Sequence, residues 1–232
     1  MTALAGEAAE WPPAPPPKTD APIPWEDPEV PRLRAFFRTL GELLFNPRAF
    51  CQRLAGEGWA DPLAFGLVSG TVGLLAGIFW LSLLSAAASG LGGGWGAAQS
   101  YDGGIGRTGL AVFLMLASPV LVLFDLGFGA LCLWGAAAMG GAGKGFKPIW
   151  RIYCYAQAGM VAACIPVFGA PLAALLVLFL IYQGVREVLN TSSWRAWGIL
   201  ILFLSWQIFL LTLLIGALAA SLALVGYLLL RG

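Results

Sequence analysis

The chain is 232 residues long, 59% hydrophobic and only 11% charged, with a mean hydropathy of +0.82 and a net charge of +1. A soluble domain carries about 25% charged residues and about 45–50% apolar ones, so an ordinary wetted surface is excluded. The near-zero net charge gives no reason to expect nucleic acid as a partner, and several apolar runs reach the ~20 residues that cross a bilayer. The fold class is all-α: a polytopic integral membrane helix bundle with the lipid bilayer as its first partner.

Residues 1–30, "MTALAGEAAEWPPAPPPKTDAPIPWEDPEV", contain no continuous apolar core of the kind a signal peptide needs. Rich in proline, they read as a disordered cytoplasmic tail. A proline-rich ligand for a partner domain, anchored by Trp11 and Trp25, is the other reading. From Pro31 the pattern changes. Leu33, Phe36, Phe37, Leu40, Leu43 and Leu44 recur at helical spacing, with Arg32, Arg34, Arg38 and Glu42 mostly off that face. Asn46 and Pro47 break the run into two short helices. Residues 31–60 are therefore expected as amphipathic helices, lying in the headgroup plane or docked on the bundle or a partner.

Residues 61–232 hold the apolar runs, and five spans are expected. The first covers about Pro62–Ala88 and the second about Thr108–Ala138. A third begins near Pro148 and a fourth near Leu172, with "IPVFGAP" as a tight turn between them. The fifth run, about Ala196–Leu230, is free of charge for about 35 residues. At ~1.5 Å per residue it exceeds the ~30 Å hydrocarbon core, so it must tilt, protrude, kink near Gly216, or fold back as two segments. Within the first span Gly66, Gly70, Gly73 and Gly77 form one small-residue packing face, for another helix of the same chain or for a second copy in a homo-oligomer. The glycine-dominated stretch 89–109 reads as a mobile outer loop, with Trp95 and Tyr101 as interfacial anchors.

Eleven of the thirteen lysines and arginines fall in the N-terminal segment and in the loops after the second and fourth spans. Only Arg107 and Arg231 lie on the other side. Cytoplasmic loops retain positive charge. This places the N-terminus in the cytoplasm and the C-terminus outside.

The loop "GGAGKGFKPIWRIYCYAQ" (140–157) invites a phosphate-binding reading. A P-loop requires G-x-x-x-x-G-K-[ST], after a strand. Here the opening glycine position holds Ala138, Gly145 stands where the hydroxyl is needed, and a membrane span precedes the loop. The motif fails. Lys144, Lys147 and Arg151, with Arg186, instead form a candidate basic cytoplasmic patch, for anionic headgroups or for a protein partner.

Four stretches carry a resemblance: "NPRAF" (46–50), "GAGKGFKPIWRIYCYA" (141–156), "IPVFGAP" (165–171) and "YQGVREV" (182–188). In that order they resemble the bacterial branch of the Yip-domain family, the Ypt-interacting proteins, over about residues 40–215. The chain departs from the pattern after "YA", where Gln157 and Gly159 replace the usual proline. The resemblance implies five spans with a cytoplasmic N-terminus and defines no catalytic residues. Eukaryotic relatives bind Rab-type GTPases in vesicle traffic.

No histidine occurs in the chain, which removes the commonest general base and metal ligand. Cys51, Cys132, Cys154 and Cys164 form no CxxC pair. Neither enzyme activity, nor a cofactor, nor a metal site is expected. Asp125 stands out, near the middle of "LMLASPVLVLFDLGFGALCLW", where a charge costs roughly 2.5–3.5 kcal/mol. By depth, Gln157 and Gln207 are its expected partners in an intramembrane polar cluster, which reads as interhelical hydrogen-bond glue, as a proton or ion relay, or as a lipid or small-molecule pocket. Two functions follow. One is a non-enzymatic scaffold or adaptor in a bacterial inner membrane that recruits partners through its basic face. The other is a small ion, proton or solute carrier or channel built on the Asp125 cluster.

Overall fold

The computed structural model describes residues 22–54, 58–91 and 100–231, and those residues form seven α-helices and a 3₁₀ segment, with no strand among them. Helices α1 (Arg32–Phe45) and α2 (Pro47–Gln52) precede the long α3 (Ala60–Leu91) and α4 (Ser100–Met139). Then come α5 (Phe146–Ala156), the 3₁₀ segment Gln157–Cys164, α6 (Gly169–Val188) and α7 (Ser193–Arg231). Tail residues 1–21, with Trp11, lie outside the described residues, as do the side chains of Trp95, Tyr101 and Arg107.

Four of these helices are long and apolar enough to cross a membrane, over Ala60–Ala87, Gly109–Met139, Gly169–Val188 and Ser193–Leu210. Their outward faces carry large apolar side chains: Leu116 is 78% exposed, Val120 69% and Ile208 67%. Such a continuous apolar exterior is stable only against lipid. This is an integral membrane protein. The last apolar run is a single helix, so it does not fold back on itself near Gly216. Both ends of the expected outer loop are helical: α3 runs to Leu91 and α4 starts at Ser100.

The run that begins near Pro148 differs from the other four in kind. It starts as α5 and tightens into 3₁₀ geometry at Gln157, wedged between α3 and α6. Small residues, "QAGMVAAC", permit backbone-to-backbone approach there. A Cβ added at Gly159 would sit 2.6 Å from the Val177 amide nitrogen of α6, and one at Gly73 of α3 would overlap the Met160 carbonyl. The tightened turn is what fits between the two neighbours.

One end of the bundle is capped by a second layer. Residues 22–30, expected to belong to the disordered tail, are folded onto it. Ile23 and Trp25 are buried, and the Trp25 amide donates to Thr39 Oγ1 at 3.0 Å while its indole Nε1 donates to the Asp61 carbonyl at 2.7 Å. The Trp25 ring lies edge-on to Phe65, which with Phe50 flanks Tyr155. Composition averaged over thirty residues hides such an anchor, because three consecutive residues, Ile23, Pro24 and Trp25, are its only buried ones among the described residues. Trp25 holds its own bundle, not a separate domain.

Helix α1 buries Ala35, Thr39 and Leu43, and leaves Leu33 and Phe37 exposed beside Arg34 and Arg38. Its apolar sector is thus shared between the bundle and a second, unfilled side. Helix α2 is tied to α6 by Arg48 and Gln52, both of which meet Glu187. Cys51 on α2 is buried, and burial, reinforced by the Glu187 carboxylate, pushes its thiol up to about 12. Only the thiolate reacts. N-ethylmaleimide at pH 8 is therefore expected to spare Cys51 in the folded protein and to modify it after denaturation, read by peptide mapping.

Candidate intramembrane polar site

Asp125 is carried by α4, Tyr153 by α5, and Gln157 opens the 3₁₀ segment. Asp125 Oδ2 accepts a hydrogen bond from Tyr153 Oη at 3.1 Å and another from Gln157 Nε2 at 3.0 Å. Tyr153 and Gln157 are both buried and lie four residues apart, so one helical face delivers both donors to the carboxylate. Glycines clear the space. A Cβ at Gly129, one turn beyond Asp125, would overlap the Tyr153 ring, and one at Gly70 would come within 2.7 Å of Val122 and 3.7 Å of Gln157 Oε1.

Gln207 of α7 lines the same space. Together these residues edge a cavity of about 530 Å³, otherwise walled by apolar side chains of α3, α4, α6, α7 and the 3₁₀ segment. A second cavity of about 680 Å³ lies between α4 and α7, and Asp125 and Gln207 line both. Of the three residues expected to meet, Asp125 and Gln157 are directly bonded, and Gln207 stands on the shared wall. Tyr153 is the site residue that the sequence reading does not find. Its signal is the i, i+4 spacing to Gln157 in "YCYAQ" (153–157), masked by the ordinary reading of a span tyrosine as an interfacial anchor.

The two donors hold the acid in place at modest strength. Interhelical hydrogen bonds in membranes contribute about 0.6–1.7 kcal/mol. Tyr153→Phe is expected to lower stability within that range, measured by thermal unfolding in detergent. Because both donors share one oxygen, Tyr153→Phe and Gln157→Leu should combine non-additively.

The basic patch needs a correction. Arg151 is 1% exposed and does not reach a surface. Its Nη2 donates to Glu26 Oε1 at 2.6 Å, and Nε and Nη1 donate to the carbonyls of Leu54 and Gly58 at 3.1 and 3.4 Å. Tyr155 Oη donates to the same Glu26 oxygen at 2.6 Å. The charge count treats arginine as solvated, but here an acid 125 residues away takes it inward. Lys144 donates to the Val188 carbonyl at the end of α6, and Lys147 and Arg186 are half-exposed. The glycine-lysine loop itself closes α4: Gly141 adopts φ +75°, and Ala142 N–H returns to the Ala137 carbonyl at 2.9 Å.

The glycine face of α3 divides in two. A Cβ at Gly66 would meet the Cys154 carbonyl at 2.8 Å, and Gly70 and Gly73 pack as closely within the chain, whereas Gly77 faces open space. The family model of the Yip1 domain matches residues 41–217. The chain belongs to the Yip1 domain family. The matched segment of this Yip1 domain begins within α1 and includes α2, all four candidate spans up to Leu210, and every residue of the polar site. Residues 22–30, with Trp25 and Glu26, lie before it. No curated protein and no solved structure matches the chain.

Proposed function

We propose that this Yip1-domain protein is a non-enzymatic scaffold or adaptor of a bacterial inner membrane, recruiting partners at its cytoplasmic face. The observation that carries this reading is the capping layer. Residues 22–30, α1 and α2 are not a loose tail but a surface built on the bundle, fixed by a buried arginine and anchored by a buried tryptophan. That surface presents Leu33, Phe37, Arg34 and Arg38 on one side, and Lys144 and Lys147 border the same end of the bundle. Apolar residues flanked by arginines suit a helix seated at the headgroup level, where it would hold the layer in register with the membrane.

Five spans fit this arrangement when α5 and its 3₁₀ continuation are counted together. Eleven residues at ~1.5 Å and eight at ~2.0 Å give roughly 32 Å, enough for the hydrocarbon core. With the basic residues inside, the N-terminus is cytoplasmic and the C-terminus outside. In intact cells a membrane-impermeant maleimide should then label Cys164, at the far end of the 3₁₀ segment, and should label a Leu33→Cys variant only after permeabilisation. The reverse pattern would invert the topology.

The functional test is photo-crosslinking from positions 34, 38, 144 and 147 in native membranes. The scaffold reading expects one stoichiometric partner whose capture is lost in Lys144→Glu/Lys147→Glu while the protein remains folded. Ion flux through purified protein in liposomes, abolished by Asp125→Asn, would replace it with the carrier reading.

A further inference from the structure

The polar site sits at the junction of two apolar cavities, and its chemistry is one-sided. Among the described residues, Asp125 is the only carboxylate lining either cavity, and no lysine or arginine lines them. Both protein donors go to its Oδ2, and among the described residues none donates to Oδ1. A carboxylate set in apolar surroundings without a cationic partner is a poor structural element. It becomes a good one when a ligand brings the missing cation.

The walls supply the rest of such a site. Phe124 and Phe128, one turn apart on α4, line the cavity between α4 and α7 with their rings stacked, 5.7 Å between centroids. Aromatic faces attract cations, most strongly where water is excluded. Phe124 is 61% exposed and Ile208 67% exposed, so this cavity opens sideways, towards lipid. Each chamber, about 530 and 680 Å³, is of the size that takes small molecules, about 300–1,000 Å³.

We propose that this junction binds a lipophilic monocation, an apolar body carrying one protonated amine, which enters from the bilayer between α4 and α7. The ammonium pairs with Asp125 Oδ1, the Gln207 carbonyl accepts a second N–H, and the apolar body fills the chamber beside Phe124 and Phe128. Tyr153 and Gln157 hold the carboxylate oriented for the pair. This assignment is independent of the scaffold reading and requires no movement of the ligand across the membrane.

The test uses the full-length protein in liposomes with two matched photoreactive probes, a diazirine-bearing hexadecylamine and the corresponding hexadecanol. The amine should label peptides of α4 and α7 saturably, and unlabelled hexadecylamine should compete. The alcohol should label at least tenfold less at the same concentration. Asp125→Asn, which keeps the shape and removes the charge, should reduce amine labelling about tenfold, and Leu210→Trp, which fills the chamber between α4 and α7, should also reduce it. Equal labelling by amine and alcohol in the wild type would overturn the proposal, whether or not the variants fold. So would undiminished amine labelling of folded Asp125→Asn.

Discussion

Gly73→Leu is expected to prevent accumulation of folded protein, and Gly73→Ala to lower its stability by on the order of 3 kcal/mol. The reason is local. Even a methyl group at this position overlaps the Met160 carbonyl, an atom of the 3₁₀ backbone, which cannot rotate away as a side chain would. Relief requires α3 to separate from the segment it packs against most closely, and forced overpacking of this kind typically costs about 1–3 kcal/mol or more. The same stripe supplies its own control. A methyl group at Gly77 would enter open space, so Gly77→Ala should change stability by no more than about 0.5 kcal/mol. Thermal unfolding of both variants in one detergent decides the matter. Equal melting temperatures would mean that α3 and the 3₁₀ segment are not in backbone contact.

Arg151→Met is the second variant with a large expected effect, about 3–5 kcal/mol of destabilisation. Three backbone and side-chain acceptors lose their donor, and Glu26 remains beside Tyr155 without its counter-charge. The consequence should be spatially specific. With the clamp gone, residues 22–30 should detach, and limited proteolysis should cut near Trp25 at a rate at which the wild type stays intact. Removing the stranded acid as well, in Arg151→Met/Glu26→Gln, should recover part of the loss, because the residual penalty is that of an unpaired charge. Arg48→Met is the contrast. Arg48 also pairs with an acid, Glu187 at 2.9 Å, but its side chain is 65% exposed, and such pairs contribute about 0–1 kcal/mol. If Arg48→Met and Arg151→Met melt alike, the capping layer is not held by the buried pair.

Both variants show where one-dimensional reading ends. Hydropathy by itself determined the class, because an excess of apolar residues with so few charges leaves lipid as the only compatible solvent. It also located the long helices, although α4 starts at Ser100, eight residues before the expected Thr108, and the last candidate span ends at Leu210 within a helix that runs on to Arg231. The absence of histidine and the failed P-loop spacing were equally legible, because they are statements about which residues occur and where. Depth along a helix is likewise a property of the sequence, and it brought Asp125 and Gln157 to one level before any packing was known.

Tertiary structure decided everything that depends on which way a side chain turns. Arg151 and Lys147 lie four residues apart on one helix with the same formal charge, yet Arg151 is buried and Lys147 half-exposed, because only Arg151 faces Glu26. Ile23 and Trp25 belong by composition to a disordered segment, but the groove above Phe65 and Thr39 exists only once α1 and α3 are assembled. The change from α-helix to 3₁₀ at Gln157 follows from the space left between α3 and α6, a quantity with no local signature. Periodicity and composition register how a residue relates to solvent on average. Partners distant in the chain are fixed by three-dimensional closure, and it is those partners that shape the capping layer and the polar site.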